Sequence, residues 1–200
     1  MRLPNDDVDR LADYLEEQVA AFGAVHRMSL PHRTDLDRKL GVMEVADCPK
    51  PGVTTWCTFG LAHHDFADGG SPRRSELVSA LRSPDLRLDG ALADLAFTMM
   101  DRGFAPRHGA TVGQAISMQD DLQSLAERMP HVVIVHPYAW GGRFVSTETG
   151  SGTVWLHQVQ PIYDAERRFI VDKGFDTFEE ILEAKGVSLT DPDRPCSVRY

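Results

Sequence analysis

Two neighbouring blocks, Gly152-Thr-Val-Trp-Leu-His-Gln-Val159 and Ile162-Tyr-Asp-Ala-Glu-Arg-Arg-Phe169, indicate the fold class of this chain. The first is rich in β-branched and aromatic residues, which favour a strand. In the second, Asp164 can cap a helix that runs to Lys173 and stops at Gly174. A strand beside a helix with such clear ends predicts an α/β scaffold.

A second short helix is predicted just beyond this pair. Thr177-Phe-Glu-Glu180 is a capping box, in which hydroxyl and carboxylate satisfy free backbone amides, and Gly186 is the expected stop. The turn Asp191-Pro-Asp-Arg-Pro195 then leads into a short tail. The chain therefore ends in two helices and a proline-framed turn.

Apolar periodicity and turn residues divide the rest of the chain. The predicted helices are 5–22, 89–102 and 120–129. The predicted strands are 40–46, 53–59, 75–81 and 131–136. The polar stretches predicted as loops are 26–39 and 63–73.

The order of these elements predicts the architecture. The first two strands flank Pro49-Lys-Pro-Gly52, which is turn chemistry and favours a hairpin. Residues 131–136 are apolar on both faces, which is typical of a central strand. We expect one domain over 1–200, an α/β (α+β) layered sandwich with helices covering a mixed β-sheet.

Composition restricts the function. The 200 residues carry a net charge of −9, which argues against nucleic-acid binding because no basic stripe could neutralise phosphates. The three cysteines are widely spaced, and no window is apolar enough for a membrane span. The N-terminus lacks the apolar core of a signal peptide. We expect an acidic, soluble protein of the cytoplasm.

Catalytic signals are weak. His63-His64-Asp65 could supply metal ligands, but no second ligand pair accompanies them at metal spacing. Cys48 could be an exposed thiol, although nothing places a base beside it. His131, His136 and His157 lie at strand positions, and His131 and His136 differ in parity, which favours structural roles. No cofactor is expected.

The loop His136-Pro-Tyr-Ala-Trp-Gly-Gly142 offers a different kind of site. Tyr138 and Trp140 follow a buried strand, and exposed aromatic residues in loops are typical interface anchors. The alternative is that both rings cap the core beneath the loop. The pair is therefore a candidate for protein binding.

Several blocks in their order resemble the Suppressor of Fused-like domain, most clearly over residues 52–200. The blocks are Thr55-Trp-Cys-Thr-Phe-Gly60, Arg74-Ser-Glu-Leu-Val78, Gly109-Ala-Thr-Val-Gly113, Gly152 to Val159, Pro161-Ile-Tyr-Asp-Ala-Glu166, Lys173 to Leu182 and Asp191 to Arg194. The resemblance implies an α/β sandwich without known catalytic residues. It also marks Gly109, Thr111 and Gly113 as candidate binding residues.

The charged residues of these blocks suggest structural ion pairs. The candidates are Arg74, Glu76, Glu166, Asp191 and Arg194. Such pairs would pin the terminal helices to the sheet, and a partly buried pair fixes geometry more than it stabilises. We expect these residues to brace the architecture.

The resemblance further implies a function. Animal members have a second domain and clamp a transcription-factor peptide, partly by adding it as a β-strand, whereas stand-alone bacterial members look like immunity proteins of toxin systems. We expect a non-enzymatic protein-binding domain that neutralises a toxin partner. The alternatives are a small metal- or thiol-dependent hydrolase and a scaffold subunit. Self-association into a homo-oligomer is a further option.

Overall fold

The computed structural model describes residues 25–29, 40–64, 66–68, 71–83, 85–117, 119–141, 146–149 and 152–199. The strands are β1 (Val25–Ser29), β2 (Gly41–Val45), β3 (Thr54–Phe59), β4 (Phe66–Asp68), β5 (Ser71–Leu81), β6 (Thr111–Val112), β7 (His131–Val135), β8 (Ser146–Thr149) and β9 (Gly152–Ile162). The helices are α1 (Asp89–Arg102), α2 (Gln123–Ala126), α3 (Asp164–Lys173) and α4 (Phe175–Lys185). The helix predicted over 5–22 lies outside the described residues.

The strands form a mixed sheet in the order β1-β2-β3-β5-β9-β7-β6. β5 and β9 are parallel, whereas the other described pairs are antiparallel. The predicted hairpin is confirmed, because β2 pairs antiparallel with β3. β9 borders β8 along its first residues and β7 along its last, so it holds the two halves of the sheet together.

Helices cover both faces of this sheet. Successive residues of a strand point to opposite faces, and β9 shows this directly. Val159 packs in the cluster that contains α1, whereas Ile162 packs with the apolar residues of α3 and α4. Val154 and Leu156 lie on the second face too and contact Trp140. The predicted α+β layered sandwich is confirmed. Within the described residues, none of the helices has the length and apolar character that crossing a bilayer requires.

Two predicted loops contain strands. Residues 26–29 lie in β1, and β4 together with the start of β5 falls within 63–73. Both segments are mostly polar and lack alternation, and their strands are formed by pairing, β1 with β2 and β4 with β5. The predicted helix 120–129 is also shorter, because a 3-10 turn at Asp120–Leu122 precedes α2.

The predicted cap of the last helix is wrong. α4 begins at Phe175 instead of Thr177, and the Thr177 hydroxyl donates to the Lys173 carbonyl one turn back. Phe175 is buried, so packing draws it into the helix ahead of the polar signal. Asp164 is likewise the first residue of α3 and not its cap, and its carboxylate contacts His131 and Arg168.

Candidate functional site

Glu166 and Arg194 form a buried ion pair. The two guanidinium nitrogens of Arg194 lie 2.6 and 2.7 Å from the two carboxylate oxygens of Glu166. The side chains are 0% and 2% exposed. This two-point geometry is the strongest that an arginine and a carboxylate can adopt. It joins the first turn of α3 to the turn at Asp191–Arg194.

Backbone groups complete this pair. Glu166 also accepts hydrogen bonds from the amides of Ser197 at 2.9 Å and Tyr163 at 3.1 Å. Arg194 donates to the Pro161 carbonyl at 3.2 Å, and the Tyr163 hydroxyl donates to the Arg194 carbonyl at 2.6 Å. Because Glu166 already accepts four hydrogen bonds, it has no oxygen left to act on a substrate.

Glu76 is held by hydrogen bonds from uncharged groups, which corrects the prediction that it forms an ion pair. Its carboxylate is fully buried and accepts hydrogen bonds from the Thr58 hydroxyl at 2.6 Å and from the amides of Gly60 and Ala62 at 2.9 and 3.0 Å. The Arg74 guanidinium is not among its donors. Burial raises the pKa of Glu76 to about 7, and the hydrogen bonds offset part of that rise.

Asp191 likewise forms no ion pair with another of the described residues, which corrects its predicted role. Its Oδ1 accepts a hydrogen bond from the Asp193 amide at 3.0 Å, and its carbonyl accepts one from the Arg194 amide at 3.3 Å. Asp191 therefore shapes the turn that delivers Arg194 to Glu166. Its contribution is conformational and does not depend on a charged partner.

The two aromatic residues of the predicted binding loop have different environments. Trp140 is 3% exposed and packs against Val154 and Leu156, so it is part of the core and not an interface anchor. Tyr138 is 43% exposed. Burial raises the pKa of its hydroxyl. Only Tyr138 can reach a partner.

Tyr138 forms one wall of a cleft of about 230 Å³, which we call the Tyr138 cleft. Its lining residues are Pro49, Lys50, Val53, Tyr138, Ala139, Ser188 and Thr190. They come from the β2–β3 turn, the loop after β7 and the segment after α4. Sequence patterns could not have brought these three segments together, because each is an ordinary turn when taken alone.

Gly109, Thr111 and Gly113 lie along the end strand of the described sheet. The Gly109 amide donates to the Ile134 carbonyl at 2.7 Å, and Thr111 is opposite Val133 in the β6–β7 pair. Gly113 lies in the following turn, close to the Arg167 guanidinium. This arrangement places the three residues away from the lining of the Tyr138 cleft, and their predicted part in binding remains a proposal.

Gly109 is positioned for close packing, and we expect its replacement to be costly. Its φ is +78°, and an added Cβ would lie 2.7 Å from Cβ of Phe175. Gly109→Ala should lower the free energy of unfolding by about 2 kcal/mol, measured by urea denaturation. Gly141→Ala is the matched control, because φ is +63° there and nothing lies within 4 Å. Equal losses in the two variants would contradict a role for the Phe175 contact.

The histidine candidates have structural environments. His63 ends a 3-10 turn, the His64 ring lies 4.8 Å from that of Phe66, and Asp65 lies outside the described residues. His131 accepts from the Gln114 amide and contacts Asp164. Across the described ranges, no three His, Cys, Asp or Glu side chains come together in a way that could hold a metal ion.

Cys48 does not fit a thiol nucleophile. The prediction that it could be exposed is wrong, since it is 0% exposed and packs among Val45, Val53 and Trp140. Burial raises the pKa of its thiol, which lowers the thiolate fraction on which nucleophilic attack depends. Cys48 is therefore a core residue.

Comparisons with known proteins agree with this geometry. The family described as Suppressor of fused protein (SUFU) matches residues 37–195. The immunity protein YqcF of Bacillus subtilis (strain 168) is 25% identical over 178 residues, which cover 88% of this chain and 91% of that protein.

Solved structures share the fold. A Suppressor of fused homologue from Neisseria gonorrhoeae FA 1090 has a TM-score of 0.74 at 15% identity, over 98% of this chain and 100% of that one. The crystal structure of the Sufu–Fu complex contains a chain with a TM-score of 0.68 at 13% identity, over 96% and 92%. Suppressor of Fused of Drosophila reaches 0.57 at 12% identity, and the match spans 80% of this chain but only 42% of that one. Together with the family match, these findings establish that the chain belongs to the Suppressor of fused family.

Proposed function

We propose that this protein is a non-enzymatic protein-binding module of one domain that neutralises a toxin. The observation that carries the proposal is the similarity to an immunity protein, which extends over 88% of this chain and 91% of that relative. Similarity over nearly the whole of both chains favours a shared mode of action over a shared fragment.

The environments of the buried ionisable groups support binding over catalysis. Glu166 is saturated by Arg194 and two backbone amides, and Glu76 by a hydroxyl and two amides. Cys48 is enclosed in the core. A hydrolase needs such a group within reach of its substrate. These three groups instead hold the sheet and its connections in place.

Charge suggests the kind of partner and the compartment. A net charge of −9 would speed the approach of a basic protein, and added salt would slow it by screening. The cysteines Cys48, Cys57 and Cys196 are all free thiols, which suits a reducing cytoplasm. The proposed partner is therefore a protein toxin with a basic surface, met inside the cell.

Growth rescue tests the proposal. Products of the genes next to this one are the candidate toxins, and each would be induced in Escherichia coli with and without this protein. We expect one of them to arrest growth alone and to be tolerated when both are present, with a 1:1 complex measurable by calorimetry. If no candidate toxin is both neutralised and bound by this protein, the proposed function is wrong.

Tyr138→Ala should weaken that complex by about ten-fold or more, because exposed aromatic rings at the wall of a cleft are frequent hot spots. Val171→Ala is the matched control, since Val171 is an exposed apolar residue on α3 with 69% of its surface accessible. Both variants should remain folded in the absence of urea. A complex that loses affinity with Val171→Ala but not with Tyr138→Ala would place the interface on α3.

A further inference from the structure

We infer that the Tyr138 cleft binds an acidic side chain, Asp or Glu, of the protein partner through the ammonium group of Lys50 and a hydroxyl of Ser188 or Thr190. The identity of the partner rests on the proposed function, but the preference of the cleft for a carboxylate does not. The inference depends on an unpaired cation, a donor hydroxyl and the size of the cleft.

Lys50 is the first support. The chain has four lysines, three of which are among the described residues. Lys173 pairs with Asp172 at 2.9 Å, and Lys185 donates to the Ser197 carbonyl at 2.7 Å. The ammonium group of Lys50, by contrast, makes no hydrogen bond or ion pair with any described residue. A cation without a partner at the rim of a cleft is available to an anionic ligand.

Nothing on the cleft wall competes for that charge, since none of its lining residues is acidic. The carboxylate nearest to Lys50 along the chain is that of Asp47, whose Oδ1 accepts a hydrogen bond from the Gly52 amide at 2.8 Å. Asp47 is thus engaged in closing the β2–β3 turn. The carboxylate of Asp191, next to Thr190, accepts one from the Asp193 amide at 3.0 Å. In a chain of net charge −9, Lys50 is the one charged residue in the lining of the cleft.

Ser188 and Thr190 are the second support. Their hydroxyl oxygens lie 2.8 Å apart, and either can be the donor in that hydrogen bond. Whichever hydroxyl donates, the other keeps its own hydrogen for another acceptor. The cleft therefore offers an ammonium group and one spare O–H, both donors, and a carboxylate is an acceptor-only group that matches them.

The size of the cleft indicates a side chain and not a whole small molecule. Pockets for drug-sized ligands and cofactors usually measure about 300–1,000 Å³, and this one measures about 230 Å³. Its other walls are apolar or aromatic, namely Pro49, Val53, Ala139 and the Tyr138 ring. These walls can contact the methylene groups of an acidic side chain while its carboxylate meets the donors.

Short capped peptides test the inference without any toxin. The backbone amide NMR signals of Val53, Ala139 and Thr190 would be followed in labelled full-length protein during titration with acetyl-leucyl-glutamyl amide. The glutaminyl peptide of the same shape is the neutral probe. We expect saturable shifts at these residues with the acidic probe, and binding about three- to five-fold weaker with the neutral one, which is the usual contribution of an exposed ion pair.

Variants make the test specific. Lys50→Gln should reduce the affinity for the acidic probe to that for the neutral probe, whereas Lys173→Gln, on α3, should leave it unchanged. Equal binding of the two probes would overturn the inference, and so would NMR shifts with the acidic probe that are the same in Lys50→Gln as in the wild type. A third probe, acetyl-leucyl-leucine, carries its carboxylate at the chain end. If this probe bound more tightly than acetyl-leucyl-glutamyl amide, the inference that the cleft binds a side-chain carboxylate would be wrong.

The two proposals fail in distinguishable ways. If the acidic probe binds as expected and no toxin is neutralised, the inference about the cleft holds and the proposed function is wrong. If a toxin is neutralised and bound with the same affinity by Lys50→Gln, the function holds and the inference about the cleft is wrong.

Discussion

Arg194→Ala is expected to lower the free energy of unfolding by about 3–5 kcal/mol. The substitution leaves Glu166 at 0% exposure with only the amides of Tyr163 and Ser197 to stabilise its charge. It also removes the donor to the Pro161 carbonyl. Removing one partner of a buried pair costs this much because the remaining charge keeps its desolvation penalty. Urea denaturation with a fixed m-value would measure the loss.

An exposed pair in the same region supplies the control. Arg128 lies 3.2 Å from Asp193, and the two side chains are 42% and 83% exposed. Since such a pair contributes little in water, Arg128→Ala should cost less than about 1 kcal/mol. If Arg194→Ala were no more destabilising than Arg128→Ala, the buried pair would not be holding the C-terminal segment.

The double variant separates the pair from its surroundings. Glu166→Ala in the Arg194→Ala background removes the orphaned carboxylate, so the two losses should not add. We expect the double variant to be about as stable as either single variant, or more stable. Additive losses would indicate that each side chain acts through its own backbone contacts and that their mutual attraction contributes little.

Two of the regular elements, α1 and β7, were predictable from local sequence, and the reason is visible in their packing. α1 runs from Asp89 to Arg102 as its periodicity indicates, because its apolar residues face the sheet and Gly103 ends it with a positive φ. β7 is buried on both faces, as its continuous apolar run predicts. In these elements, local preference and tertiary packing favour the same conformation.

Predictions about charged and aromatic side chains needed tertiary information. Glu166, Arg194 and Glu76 are all predicted members of structural ion pairs. Glu166 and Arg194 do pair with each other, whereas Glu76 is held by uncharged donors. Tyr138 and Trp140, two residues apart, differ in exposure because the 3-10 turn after β7 directs only Trp140 into the core. Composition and residue spacing do not distinguish Glu166 from Glu76, nor Tyr138 from Trp140.

The Tyr138 cleft could not be predicted from the sequence for a related reason. Lys50 and Tyr138 are 88 positions apart in the chain, and Tyr138 and Thr190 are 52 apart, yet the β2–β3 turn, the loop after β7 and the segment after α4 meet in one cleft. Only the strand order and the packing of the C-terminal segment bring them together. A sequence pattern reports local spacing, whereas this site depends on topology.

Glu76 should make the stability of the protein depend on pH in an unusual direction. Its carboxyl has a pKa of about 7 in the folded protein against an ordinary value of 4.5, because it is fully buried. The folded state therefore holds this proton more tightly than the unfolded chain does. Its contribution to stability is fully present below pH 4.5 and is lost as the pH rises through about 7.

The hydrogen bonds around Glu76 show how the neutral acid would be accommodated. The Thr58 hydroxyl lies 2.6 Å from Oε2 of Glu76, and the Leu77 carbonyl lies 3.4 Å from the same hydroxyl as an alternative acceptor. A protonated Oε2 can donate to Thr58, which then donates to Leu77, while Oε1 keeps the amides of Gly60 and Ala62. Every buried polar atom in this group stays satisfied.

Glu76→Gln reproduces this neutral arrangement, since its amide nitrogen can donate to Thr58 and its oxygen can accept from Gly60 and Ala62. We expect the variant to match the wild type at pH 4.5 and to exceed its free energy of unfolding at pH 8 by about 3 kcal/mol, the value of the pKa shift. Urea denaturation at both pH values measures the difference, with the exposed Glu179→Gln as control. A difference independent of pH, or a wild type that is the more stable at pH 8, would show that Glu76 is ionised at no cost, held by its three donors despite its burial.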